Sequence, residues 1–168
     1  VPILVTASQA PEFSEPETVP LRRLFQISPL AFVGIGLQGF AASMIFGMGA
    51  VFANIIGMTN QQGSIFLASF TIANVVMQYP IGRMSDRFDR RLVILIVASI
   101  SGLAAAIASI VGLSNYWTLL GLTAIFGGFS MTIYSLCIAH ANDYLSPSQM
   151  VGTASALITV NGIGAIFG

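Results

Sequence analysis

Residues Leu92 to Val111 read LVILIVASISGLAAAIASIV, a run in which nothing is more polar than serine. A helix of this composition has no polar face to turn toward water, so it cannot lie on the outside of a soluble bundle. Its length matches the roughly 20 residues needed to cross a hydrocarbon core. On either side of it, four more segments share the same character: Pro29 to Phe52, Gly63 to Ile81, Trp117 to Ala139 and Met150 to Gly168. The chain therefore reads as an all-α, polytopic transmembrane helical bundle.

Composition agrees with that reading. Hydrophobic residues make up 55% and charged residues 7% of the chain, where soluble domains carry about 25% charged residues. Basic and acidic residues balance at six each, so no net charge points to a nucleic-acid partner. The single cysteine, Cys137, lies inside an apolar stretch; an intramolecular disulfide is impossible, and neither a metal centre nor a cofactor is expected. The spans hold no paired carboxylates, no histidine–carboxylate set and no nucleophile beside a base, which argues against an enzyme. A membrane scaffold, or an enzyme subunit without its own catalytic site, is the alternative to transport.

The flanks set the domain expectations. Residues 1–5 are apolar but too short to span, and read as the end of a preceding transmembrane helix. Residues 6–27 read as a cytoplasmic central linker: Pro11, Pro16 and Pro20 with Glu12, Glu15 and Glu17 give a solvated stretch. It ends in a short interfacial helix, Leu21 to Ile27, carrying Arg22 and Arg23. Residues 28–168 form the five-span half-domain. The acidic start does not fit a signal peptide, and both ends read as cut.

Helix starts carry their own marks. Ser28 precedes Pro29, Thr59 stands three residues before Gln62, and Ser146 precedes Pro147 with Gln149 three residues past the serine. Tyr116 and Trp117 are the aromatics expected at a lipid–water boundary. All six arginines fall in two clusters, Arg22 and Arg23, then Arg83, Arg87, Arg90 and Arg91. Two spans separate the clusters, so both lie on one side. The positive-inside rule makes that side the cytoplasm of a cell (inner) membrane protein.

Between the second and third spans runs Tyr79-Pro80-Ile81-Gly82-Arg83-Met84-Ser85-Asp86-Arg87-Phe88-Asp89-Arg90-Arg91. Arginines alone would serve as a positive-inside anchor. The glycine and the aspartate suggest more: Gly82 allows close backbone approach at a helix end, and Asp86 can accept from free backbone amides at a helix N-terminus while an arginine neutralises it. The loop resembles the signature of the major facilitator superfamily, G-x-x-[SA]-D-R-x-G-R-R, in Gly82, Ser85, Asp86, Arg87, Arg90 and Arg91. Asp89 departs from it, standing where the family usually has glycine. The stretch from Ala139 through His140 and Asp143 to Ser146 and Pro147 is similar to a second loop of bacterial members.

The resemblance implies a secondary active transporter of a small solute working by alternating access, here as an incomplete C-terminal half resembling helices seven to eleven. Its partners would be the lipid bilayer, the missing N-terminal half and an unknown small-molecule solute. Gly82, Arg83, Ser85, Asp86, Arg87, Arg90 and Arg91 would form a conformational-gating loop. Polar residues within the spans are Gln38, Asn74, Gln78, Tyr134 and Asn161. Each can simply bridge helices by hydrogen bonds. They fall in the spans that line the cavity in the family's arrangement, whereas the third span has none, so they are also substrate-cavity candidates. His140 ends the fourth span: as a C-terminal polar residue it is favoured by the helix dipole, and it is the one proton-coupling candidate. Gly34-Ile35-Gly36-Leu37-Gln38-Gly39 fits a nucleotide-binding pattern but lies inside a span without a strand before it. It reads as a close-packing surface, as do Ala104, Ala108 and Gly112, then Gly164 and Gly168.

Overall fold

A computed structural model describes residues 20–111 and 115–168. The chain ahead of Pro20, including Val1 to Val5 and the linker glutamates, lies outside the described residues, as does Gly112. The described chain is helical and contains no strand: α1 (Leu21–Ile27), α2 (Pro29–Ile55), α3 (Asn60–Ser85), α4 (Arg90–Val111), α5 (Tyr116–Ser130), α6 (Thr132–Asn142) and α7 (Pro147–Phe167). Among the described residues, five helical segments are long and apolar enough to cross a membrane: α2, α3, α4, α5 with α6, and α7.

The helix starts follow local chemistry. The Ser28 hydroxyl accepts from the Ala31 N–H at 3.4 Å, ahead of Pro29 in the first turn of α2. Thr59 and Gln62 form a reciprocal capping box, Gln62 N–H to Thr59 Oγ1 at 3.2 Å and Thr59 N–H to Gln62 Oε1 at 3.0 Å. Asn115 Oδ1 accepts from Trp117 N–H at 3.0 Å and starts α5. Ser146 departs from expectation. It occupies the N-cap position of α7 but makes no side-chain cap bond; its hydroxyl pairs with that of Ser148 at 3.0 Å instead.

Two boundaries move. α3 continues through Pro80 to Ser85, so half of the expected loop is the last two turns of a helix, and only residues 86–89 connect it to α4. The fourth span is interrupted at Met131, whose backbone stays in the right-handed region at φ −67° and ψ −30°. Gly127 and Gly128 weaken the helix there. The Thr132 hydroxyl donates back to the Gly128 carbonyl at 2.7 Å, a contact that bends helices.

Glycines decide which helices touch. α5 packs mainly on α3 and α4, and α2 mainly on α7, while α6 bridges α2 and α4. A methyl group at Gly127 would stand 2.6 Å from the Phe70 carbonyl oxygen, and one at Gly128 3.1 Å from that of Ala73. On the other side, methyls at Gly164 and Gly39 would run into the carbonyl oxygens of Gly36 and Asn161. Two helix pairs, α3 with α5 and α2 with α7, are thus closed by the same device. Ala104 is buried, whereas Ala108 lines an apolar cavity of about 450 Å³ between α2, α4 and α5.

The core collects toward one end, where Leu24 of α1 joins Ile81, Val93, Ile94, Val97, Leu136, Cys137 and Ala141. Large apolar side chains such as Ile72, Ile110 and Ile166 face outward, as they do where lipid is the solvent. Trp117 is 73% exposed and meets the Tyr116 ring edge-on at 5.3 Å.

Candidate functional site

The α3–α4 connection is built from the last turn of α3 outward. Asp86 and Phe88 donate their backbone N–H groups back to Gly82 and Met84, so the chain turns without a left-handed residue. Asp89 then starts α4: its carboxylate accepts from the Arg91 N–H at 2.8 Å. The role of an acid at a helix N-terminus, expected of Asp86, is filled within this chain by Asp89. Asp86 faces Arg90 at 3.4 Å and is 74% exposed.

Arg90 is the hub. Its side chain is 21% exposed and reaches Asp143 at 3.0 Å as well as Asp86 at 3.4 Å. Its neighbour Arg91 donates to the Tyr144 hydroxyl at 2.7 Å and places its guanidinium 5.7 Å from the centre of the same ring. The Tyr144 ring and the His140 imidazole meet in a T-shape, ring centres 5.3 Å apart. Two consecutive arginines at the start of α4 therefore clip two consecutive residues beyond α6. Arg83 lies outside this clip, bonded to Tyr79 Oη at 2.8 Å. Gly82 has no neighbour close to where a side chain would begin, and Ser85 is buried with its hydroxyl unpartnered among the described residues.

The in-span polar residues divide. Asn161 Nδ2 donates to Gln38 Oε1 at 2.6 Å and to the Ile35 carbonyl at 3.3 Å, joining α7 to α2. Gln38 Nε2 reaches Met131 Sδ at 3.4 Å, at the interruption of the fourth span. Tyr134 is half-buried against the core. Asn74 is half-buried and Gln78 exposed, one turn apart on α3, and among the described residues neither has a hydrogen-bond partner. The structure brings Gln38 and Asn161 together, not all five candidates.

Comparison with known proteins settles the family. The pattern of the Major Facilitator Superfamily matches residues 31–168. The chain belongs to that superfamily. Within it, the chain is similar to an uncharacterized MFS-type transporter, YcaD, of Escherichia fergusonii, with 22% identity over all of this chain and 43% of that protein. It is also similar to YcaD of Escherichia coli, 26% identical over 80% of this chain and 34% of that protein. A third relative, the uncharacterized MFS-type transporter YE1530 of Yersinia enterocolitica, is 27% identical over 83% of this chain and 35% of its own length. The chain thus spans less than half the length of these relatives. No solved structure matches it.

For this superfamily member, sequence reasoning missed Asp143 and Tyr144 as partners of the arginines. Both contacts cross 53 positions. The signal available was parity: two spans after the arginine loop, the chain returns to the same side carrying an acid and a tyrosine. The departure at Asp89 also finds its reason, since an aspartate caps a helix start better than most residues.

Proposed function

We propose that this chain is the C-terminal half of a secondary active transporter that moves a small solute by alternating access. The observation that carries the reading is the Arg90 hub within a member of this superfamily. Rocking of two halves requires each half to move as a unit. Arg90 and Arg91 tie the α3–α4 turn to the α6–α7 turn, so the cytoplasmic ends of four spans move together. Asp86, Arg83 and Arg87 remain exposed, available to dock on the missing N-terminal half and hold one state. Gln38, Asn74, Gln78, Tyr134 and Asn161 are this half's contacts for solute, and the arginine-rich end faces the cytoplasm of the inner membrane.

Orientation is directly testable, because the native Cys137 is fully buried and need not be removed. Phe88→Cys is expected to react with an impermeant maleimide only from the cytoplasmic side, and Trp117→Cys only from outside. Labelling of both from one side would reject the topology.

His140 is buried at the end of α6 and packs on Tyr144, a position near the membrane surface rather than the midplane where coupling sites lie. His140→Gln in the complete protein is therefore expected to leave the proton dependence of uptake intact. Loss of proton-driven uptake with normal expression would make His140 the coupling group.

A further inference from the structure

The amides in the middle of the bundle satisfy one another unevenly. Asn161 Nδ2 has two oxygen acceptors, whereas Gln38 Nε2 has only the Met131 thioether at 3.4 Å, a weak acceptor. Gln38 is 8% exposed, so water does little to make up the difference, and an under-satisfied donor in a low-dielectric site is poised for a better acceptor. Among the described residues no donor is assigned to Asn161 Oδ1. Asn161 and Met131 are both half-buried, so the junction is reached from outside this chain rather than sealed. The Met131 side chain is unbranched and flexible, and can withdraw.

We propose that Gln38, Asn161 and Met131 form a half-site for an uncharged solute bearing hydroxyl or amide groups. A solute oxygen replaces Met131 Sδ as the acceptor for Gln38, and a solute O–H or N–H donates to Asn161 Oδ1. The inference rests on the transporter reading above and adds the substrate class to it. The membrane interior around the junction points the same way: no Asp, Glu, Lys or Arg lies between Pro29 and Ile81, between Leu92 and Ala139, or between Pro147 and Gly168. An ionic solute would meet only amides, hydroxyls and a thioether from this half, with no counter-charge to offset its desolvation.

The test uses the complete protein, purified and reconstituted, with mannitol, glucose and N-acetylglucosamine as uncharged probes, gluconate and citrate as anions, and choline as a cation. Thermal shift and counterflow are measured for each. An uncharged probe is expected to stabilise the protein and be transported. Gln38→Met is expected to weaken its binding about ten-fold, the scale of a hydrogen-bonded group lost from a buried site. Met131→Leu is expected to tighten it by about three- to ten-fold, because the Gln38 donor is then unpaired until solute arrives. A general folding defect would weaken both variants, so the opposite sign is diagnostic. Transport of an ionic probe that Gln38→Met leaves unchanged overturns this inference while leaving the transporter reading standing, as does uncharged-probe binding that neither variant alters. Absence of counterflow for every probe overturns both.

Discussion

Gly164→Val is expected to abolish the folded bundle, while Gly102→Ala leaves it intact or slightly more stable. At Gly164 the first atom of a side chain falls on the carbonyl oxygen of Gly36, with the carbonyl carbon 2.9 Å away. That obstacle is backbone, which cannot rotate aside, so α2 and α7 must separate. Overpacking of this kind costs about 3 kcal/mol or more. Separation also stretches the Asn161–Gln38 bond and leaves two amides unpaired in an apolar interior. At Gly102, by contrast, an added methyl meets nothing within 4 Å, and alanine in a helix interior gains about 0.5–1 kcal/mol over glycine. Melting of the complete protein followed by size exclusion separates the two outcomes. A Gly164→Val protein with an unchanged melting temperature would refute the backbone contact between α2 and α7.

Reversing the charge at the other end is the second large effect. Asp143→Arg puts a guanidinium beside Arg90 and near Arg91, where a carboxylate now accepts at 3.0 Å. Like charges about 4 Å apart repel by about 4 kcal/mol at the effective dielectric of a protein surface. Asp143 is 49% exposed, and water and salt reduce the net effect to about 1–2 kcal/mol. That suffices to open the clip between the α3–α4 and α6–α7 turns and to lower uptake by about ten-fold. The double change Arg90→Asp with Asp143→Arg restores opposite signs and is expected to recover most of the uptake. Equal activity of the single and double variants would show that the pair does not hold the turns together.

Much of this architecture is legible along the chain. Five apolar runs of the right length announce five spans because lipid leaves no alternative to a helix whose backbone bonds are internal. The close-packing reading of Gly36, Gly39 and Gly164 holds, since such small residues have value only where another backbone arrives. What stays hidden depends on partners far away in sequence. The Arg90–Asp143 and Arg91–Tyr144 contacts need a tertiary arrangement that no local pattern encodes. The interruption at Met131 was within reach: Gly127, Gly128 and Thr132 together weaken a helix, but in a window this apolar the hydropathy signal of an unbroken span dominates. Asp89, read only as a departure from the family pattern, caps α4 because cap chemistry follows the helix boundary, and α3 runs four residues further than its apolar run.

The pairing of Gln38 with Asn161 spans 123 positions, and this has a consequence for biogenesis. The first span enters the bilayer carrying an amide whose partner arrives only with the fifth, well over a hundred residues of translation later. Until then, Gln38 must be shielded by water, by the translocon or by an insertion chaperone, and α2 remains free to find wrong neighbours. Among the five described spans, the first therefore waits for the fifth before its amide is paired.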